Sequence, residues 1–252
     1  MLQNQTLEHL RELRLTAMAE AYTRQIQDPH MNDLSFDERF GLLVDHERTE
    51  RHNRQLVRLL REAHLKVNAA PEEIDYTVAR GLEASVVRHL VTGQWITGRQ
   101  NLIVCGPTGV GKTFLVCALG TAACRQGYRV RYYRLSRLLQ DIAVAKADGS
   151  YSRLARQLAS ADLLILDDWG LAPMSAPEGR ELLDILDDRT SAHSTCVASQ
   201  LPIEAWYGTF ADPTVADAVL DRLVHNAHKL LLKGESMRKL RNGLPQAEKI
   251  GK

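Results

Sequence analysis

Residues 106–113 read Gly-Pro-Thr-Gly-Val-Gly-Lys-Thr. They follow the apolar run 102–105, which suits a buried strand, and they lead into residues 113–120, which read as a helix. A strand, a glycine-rich loop and a helix in this order are the context that the motif G-x-x-x-x-G-K-[ST] needs to bind phosphate. The motif therefore predicts a nucleoside triphosphate site made of Gly106, Pro107, Thr108, Gly109, Val110, Gly111, Lys112 and Thr113.

Each residue type in the loop has a physical task. Glycines at 106, 109 and 111 let the backbone curve closely around an anion, because they carry no Cβ atom. The helix that begins near Lys112 directs its positive dipole end at the phosphates. We expect Lys112 to reach the β and γ phosphates and the Thr113 hydroxyl to bind Mg²⁺, which makes ATP and Mg²⁺ the expected cofactors.

Composition places the chain among ordinary globular proteins. Its 252 residues are 44% hydrophobic and 25% charged, with a formal net charge of +1. An apolar run of about 18 residues is absent from the sequence, so no membrane span is expected. The start of the chain lacks the pattern of a secretory signal, and the four cysteines lack C-x-x-C spacing. Reduced thiols and a cytoplasmic location are the expectation.

The first 68 residues are predicted to form a small, entirely helical domain. Apolar residues at helical spacing predict a first helix that ends before Asp28-Pro29, and Ser35-Phe-Asp-Glu38 is a capping box that opens a second. Phe36, Phe40, Leu43 and Val44 line the apolar side of that second helix. Residues 69–73, Ala-Ala-Pro-Glu-Glu, are the predicted linker, which gives domains of 1–68 and 69–252.

Beyond residue 73, apolar strands alternate with helical segments. This alternation predicts an α/β fold with a mostly parallel five-stranded sheet between two layers of helices. The predicted strands are 102–105, 129–133, 162–167, 195–199 and 228–232.

Two carboxylates end the third apolar run. Asp167 at the strand tip is the predicted Mg²⁺ ligand, and Asp168 is placed to orient or deprotonate the attacking water. The fourth run ends at Gln200, which would sense the γ-phosphate if its strand lies beside the magnesium strand. One sequence does not fix that strand order.

With these motifs the chain resembles the AAA+ ATPases, and within them the initiator and helicase-loader branch that includes DnaC. It is most specifically similar to the IstB family of ATPases, which assist transposition and are encoded beside a transposase. The likeness runs from about residue 5 to 240 and rests on four segments: 106–113, Leu164-Ile-Leu-Asp-Asp-Trp-Gly170, Ser199-Gln-Leu-Pro202, and 221–228 continued through Lys233-Gly-Glu-Ser-Met-Arg238.

The resemblance implies further roles. Gln200 matches the sensor-1 position, and Arg222 matches the arginine finger that AAA+ proteins insert into a neighbouring subunit's site. An ion pair of Arg222 with Asp217 or Asp221 is the alternative, and Arg238 is either a second phosphate sensor or part of a basic tail. The chain departs from the AAA+ pattern at two places. Asp168 stands where many AAA+ enzymes carry Glu. A full C-terminal lid is not expected, because too few residues follow the last predicted strand.

Five arginines on the second helix form a candidate DNA contact. They recur at intervals of three and four residues, so they align in one stripe along the helix, and residues 45–55 contain no apolar residue to bury. Such a stripe can follow a phosphate backbone without reading sequence. Surface ion pairs of Glu47 with Arg51 and of Glu50 with Arg54 are the alternative role. The arginine stripe comprises Arg48, Arg51, Arg54, Arg58 and Arg61.

A second basic segment, 125–137, carries five arginines and three interleaved tyrosines, and it is a weaker candidate for the same contact.

Together these features predict an ATPase that binds duplex DNA without strong sequence preference. The resemblance implies that it forms a homo-oligomer with ATP at subunit interfaces, assembles on target DNA and recruits or regulates a transposase during insertion-sequence transposition. A DnaC-like helicase loader is the alternative. Two alternatives come from other functional classes: a P-loop kinase for small molecules, and a nucleotide-gated scaffold that binds ATP without useful hydrolysis. The scaffold remains an alternative because residue 168 is Asp where many AAA+ enzymes carry Glu.

Overall fold

A computed structural model of the chain describes residues 2–237, with the backbone alone at Leu2. Arg238 and most of the predicted basic tail lie outside the described residues. The chain divides into two compact units, Met1–Arg58 and Leu59–Lys252. Among residues 2–237, no helix has both the length and the apolar character needed to cross a membrane.

The first unit is helical. It contains α1 (Leu2–Glu12), α2 (Thr16–Gln27), a 3₁₀ turn (Pro29–Asp33) and most of α3 (Phe36–Ala63).

The single first helix predicted from sequence is wrong, because the chain breaks between α1 and α2. Arg14 adopts the left-handed conformation at φ 59°, and the amide of Leu15 donates to the carbonyl of Leu10. This is a Schellman arrangement, which is usually marked by glycine. Because arginine stands in its place, the break could not be predicted from the sequence.

Helix α3 begins where the capping box predicts. The amide of Glu38 donates to Ser35 Oγ at 3.3 Å, and Glu38 Oε2 accepts from the Ser35 amide at 2.8 Å. Of the four apolar side chains predicted for this helix, only Leu43 is buried. Phe36, Phe40 and Val44 are exposed, and the two phenylalanine rings stack.

The predicted linker at 69–73 does not separate the units. Ala69 is buried, and the Pro71–Glu73 turn contacts the helix that follows the phosphate loop. The last turns of α3 belong to the second unit, where Arg131 donates to the carbonyl and carboxylate of Glu62. Apolar contacts of Leu59 and Ala63 bury this end of the helix, so the boundary falls inside α3.

The second unit alternates strands and helices along the chain. Its elements are α4 (Ala84–Val91), α5 (Gln94–Thr97), β1 (Asn101–Cys105), α6 (Lys112–Arg125), β2 (Val130–Arg134), α7 (Leu135–Ala147), α8 (Tyr151–Ala159), β3 (Leu163–Trp169), α9 (Ala176–Arg189), β4 (Ser194–Ser199), α10 (Pro213–Val224) and β5 (Ala227–Leu231).

The five strands form one parallel sheet in the order β2-β3-β4-β1-β5. The predicted five-stranded α/β fold is therefore confirmed. Alternate residues of each strand face opposite sides of the sheet. One face packs its apolar side chains, such as Leu164, Leu166 and Val197, against α7, α9 and α10. Helix α6 contacts β1, β2, β3 and β4, and Ile165 on the other face reaches its Gly120.

Candidate nucleotide site

A cavity of about 250 Å³ lies where β1, β3 and β4 end. In a parallel sheet, ligands bind beyond the carboxyl ends of the strands, and here the strand order brings three such ends together. Side chains and backbone of the phosphate loop form one wall. The remaining lining comes from Lys66, Val67, Glu73, Asp75, Arg80, Phe114, Asp168, Gln200 and Met237.

Close backbone approach explains two of the loop glycines. A Cβ atom on Gly106 would lie 2.5 Å from the carbonyl oxygen of Leu232. At Gly111, φ is 99°, and a Cβ atom would lie 2.5 Å from Arg80 Nη1. Both positions therefore exclude other residues, because a larger side chain would collide with groups that shape the cavity.

Lys112 is buried in the loop that precedes it. Its Nζ donates to the carbonyl oxygens of Gly106 at 2.6 Å and Pro107 at 2.9 Å. Burial lowers the pKa of Lys112, while the nearby carboxylates of Asp167 and Asp168 oppose that shift. The ammonium thus lies inside the curve of the loop, where a phosphate would be the strongest available partner.

Thr113 and Asp167 meet across the site. The Thr113 hydroxyl donates to Asp167 Oδ2 at 2.7 Å, and Asp167 is 1% exposed. The amide of Asp168 donates to the other carboxylate oxygen at 2.9 Å. A hydroxyl and a carboxylate are the oxygen ligands that Mg²⁺ takes together with nucleotide phosphates, so this pair fits the predicted metal.

Asp168 faces the cavity from a strained backbone position. Its φ is 59°, which only a few residue types such as Asp adopt readily, and the ladder between β3 and β4 is irregular from Leu166 to Trp169. The turn separates the two carboxylates. Asp167 points inward to Thr113, whereas Asp168 lies at the cavity and its Oδ2 is 3.5 Å from Arg134 Nε.

Gln200 lies at the same edge of the sheet. Strand β4 sits between β1 and β3, which resolves the order that the sequence left open. Gln200 Oε1 accepts a hydrogen bond from Thr108 Oγ1 at 2.6 Å. This amide therefore joins the phosphate loop to the end of β4 and lines the cavity beside Asp168.

Arg222 lies at the other edge of the sheet. It lies in the last turn of α10, and its backbone carbonyl accepts from Asn101 Nδ2 at 2.9 Å, at the start of β1. Its guanidinium forms an ion pair with Asp187 of α9 and donates to the carbonyl of Ala218. Neither sequence-predicted acid, Asp217 or Asp221, is the partner seen here. This position separates Arg222 from its own chain's cavity.

Arg80 was missed by the sequence analysis. It is 4% exposed, lines the cavity, and donates to the carbonyl of Val110 at 3.0 Å and of Asp75 at 2.8 Å. The cation therefore holds the phosphate loop from behind. No motif marks it, because it lies in an irregular segment about 30 residues before the loop.

The arginine stripe is divided by its contacts. Arg51 and Arg54 both reach Glu47, which is buried and also accepts from the Met18 amide at 2.9 Å. Two expectations are corrected: residue 47 is packed although its surroundings are polar, and Arg54 pairs with Glu47 instead of Glu50. Arg48 is an exposed partner of Asp45. Arg58 and Arg61 are exposed, and among residues 2–237 no ion pair is seen for them.

The second basic segment is neutralised within the chain. Each of its five arginines pairs with an acid, and Tyr132 is buried. This segment therefore has less unpaired positive charge available to a polyanion than its sequence predicts. The pairs are Arg125–Glu72, Arg129–Asp162, Arg131–Glu62, Arg134–Asp168 and Arg137–Asp141.

The chain is similar to known ATP-binding proteins of insertion sequences. A family model described as IstB-like ATP binding protein matches residues 8–244. A putative insertion sequence ATP-binding protein, y4pL of Sinorhizobium fredii, is 46% identical over 95% of this chain and 98% of its own length. A putative ATP-binding protein in an insertion sequence of Mycobacterium tuberculosis, Rv3427c, is 32% identical over 91% and 92% of the two chains.

Solved structures share the fold. DnaI superposes with a TM-score of 0.58 at 16% identity, over 69% of this chain and 93% of that one. The DnaC helicase loader gives 0.54 at 18% identity, over 66% and 97%. AMPPCP-bound DnaA from Aquifex aeolicus gives 0.56 at 22% identity, over 70% and 54%. This likeness shows that the chain has the AAA+ fold.

Proposed function

The chain belongs to the family of IstB-like ATP-binding proteins, and from that premise we propose that it hydrolyses ATP with Mg²⁺ while assembled on DNA. In this proposal it prepares target DNA for a transposase and recruits or regulates that enzyme. The observation that carries the proposal is the convergence of Lys112, Thr113, Asp168 and Gln200 at one cavity, with Asp167 hydrogen-bonded to Thr113. The relatives of the chain are named for insertion sequences.

Each group has one task in hydrolysis. Lys112 and the loop amides would hold the phosphates, and Thr113 and Asp167 would hold Mg²⁺. The bound metal would neutralise negative charge on the phosphates. Asp168 orients the attacking water and accepts its proton. Gln200 donates its amide hydrogens toward the γ-phosphate from the end of β4.

Arg222 completes the site of an adjacent subunit. Its position at the opposite end of the strands from its own cavity supports a role in trans, where a guanidinium would stabilise charge on the transferred phosphoryl group. In the single chain Asp187 holds that guanidinium. Formation of the shared site therefore includes exchange of this carboxylate for a neighbour's γ-phosphate, which links hydrolysis to assembly.

DNA is bound by the members of the arginine stripe that do not pair with Glu47. Arg48, Arg58 and Arg61 are exposed and spaced along one helix. Their contacts with phosphate would add affinity without sequence preference. Nucleotide occupancy then controls assembly on DNA, and hydrolysis controls release.

An ATPase assay with and without duplex DNA tests this proposal. We expect DNA to raise turnover of the wild-type protein, and addition of the transposase proposed as its partner to alter that turnover further. Arg222→Ala should keep ATP binding and lose the stimulation, while size-exclusion chromatography shows whether it still assembles. Background turnover with DNA present supports the nucleotide-gated scaffold, and turnover that requires a small acceptor supports a kinase.

The helicase-loader alternative has weaker support. DnaC and DnaI are less than 20% identical to this chain. Similarity at that level supports a shared fold but not a shared function. Response of the ATPase to a replicative helicase in place of the transposase would favour that alternative.

A further inference from the structure

We infer that Tyr132 is a positioning residue for the magnesium site, acting through the carboxylate of Asp167. Its phenol hydroxyl donates to Asp167 Oδ2 at 2.7 Å, and the side chain is 7% exposed. This inference rests on the proposed Mg²⁺–ATP site and adds to it a residue that no motif includes.

The sheet register creates the contact. Tyr132 on β2 pairs with Ile165 on β3, so its side chain lies on the sheet face that also carries Asp167, two residues further along. The ring extends along this face toward the carboxyl end of β3. A tyrosine has the length for that diagonal reach between neighbouring strands.

The phenol is the donor in this contact. An ionised carboxylate has no proton to give and only accepts hydrogen bonds, so the Tyr132 hydroxyl directs its proton at Asp167 Oδ2.

Within residues 2–237, Asp167 receives three hydrogen bonds. Oδ2 accepts from Tyr132 and from Thr113, and Oδ1 accepts from the Asp168 amide. Thr113 is itself a predicted Mg²⁺ ligand, so Tyr132 is the hydroxyl donor that remains dedicated to the carboxylate. Outer partners of this kind fix the orientation of metal ligands, and their loss typically lowers metal affinity by about 10- to 100-fold.

A purely structural role for Tyr132 predicts something different. The phenyl ring would fill space, and loss of the hydroxyl would change stability without a specific effect on metal. Tyr133 provides a matched control, because it follows on the same strand and packs against the apolar cluster on the opposite sheet face. Tyr133→Phe removes one phenol hydroxyl from a position away from Asp167.

The test measures affinity for β,γ-methylene ATP in saturating Mg²⁺ and in EDTA, and takes the ratio of the two as the contribution of the metal. Tyr132→Phe should reduce this ratio about tenfold, with affinity in EDTA unchanged. Tyr133→Phe should keep the wild-type ratio. Thermal unfolding in EDTA verifies that each variant is folded at the assay temperature.

Three results contradict the inference. Tyr132→Phe could keep the wild-type affinity in both conditions, or it could lose affinity equally with and without Mg²⁺, which leaves the ratio unchanged and is the sign of a structural role. A wild-type ratio of one would instead remove the proposed magnesium site, and this inference with it. The wild-type measurement therefore separates failure of the proposed function from failure of the assignment to Tyr132.

Discussion

Asp167 and Asp168 are adjacent carboxylates with different surroundings. Asp167 is buried against Thr113 and Tyr132, while the positive φ of Asp168 turns it to the cavity. The residue that faces the cavity is the one able to reach a water on the γ-phosphate, and the inward one is able to hold a metal. Separate substitutions should therefore give separable defects.

We predict that Asp168→Asn keeps ATP binding and loses hydrolysis. The amide retains the shape of the side chain but does not accept a proton, so DNA-stimulated turnover should fall by about 10²- to 10⁴-fold. Single-turnover hydrolysis and equilibrium binding of ATP measure the two properties. Equal loss of binding and turnover would assign Asp168 to ligand binding instead of catalysis.

At the scale of single residues, the site residues that belong to sequence motifs could be predicted. The phosphate loop, Asp167, Asp168 and Gln200 all lie at strand ends, where an apolar run followed by polar residues is visible in one dimension. Tyr132 and Arg80 were invisible, because a tyrosine in a strand reads as core and Arg80 lies in an irregular segment. The partner of Arg222 was likewise missed, since Asp187 is 35 residues away on another helix.

Among the elements, the helices of the first unit depend on one buried acid. Glu47 accepts from Arg51 at 2.7 Å and from the amide of Met18, and Arg54 lies within 3.6 Å. Burial raises the pKa of Glu47, but these hydrogen bonds and positive charges outweigh burial and hold the pKa below its ordinary value of 4.5. This carboxylate thus ties α3 to the start of α2.

We predict that Glu47→Gln weakens α2 by about 1–2 kcal/mol, because the amide oxygen still accepts but lacks the charge that raises such hydrogen bonds from about 1 to about 1.5–3 kcal/mol. Since the folded pKa is lowered, the stabilisation is complete above pH 4.5 and is lost as pH falls through the folded pKa. Hydrogen exchange of the Met18 amide should be faster in the variant near neutral pH, and the difference should vanish in acid. A constant difference at every pH would contradict this account.

The five strands were predictable, and the first helices were not. Continuous apolar runs are required in a parallel sheet covered on both faces, so each strand was found to within about two residues. The break at Arg14 lacks the glycine that would announce it. Burial of Glu47 reverses the expectation from polarity, because the contacts that stabilise it come from 29 residues earlier in the chain.

For the whole molecule, the proposed DNA binding depends on the exposed members of the arginine stripe. We predict that Arg58→Ala combined with Arg61→Ala makes the slope of log Kd against log salt shallower by about 2, near 0.9 for each lost phosphate contact. Affinity should fall similarly for unrelated duplexes, as fluorescence anisotropy measures. The control Arg88→Ala with Arg180→Ala makes the same charge change at exposed sites on α4 and α9, and it should keep the wild-type slope.

If both double variants change the slope equally, net charge and not the stripe governs binding.

The central claim is that ATP is hydrolysed at a site shared by two subunits. Its most direct test mixes Asp168→Asn with Arg222→Ala and measures ATPase activity on duplex DNA. Each variant alone should be inactive, but an interface that takes Asp168 from one subunit and Arg222 from the other is complete. The account predicts that the mixture regains a substantial fraction of wild-type turnover. A mixture no more active than the sum of its separate components would contradict it.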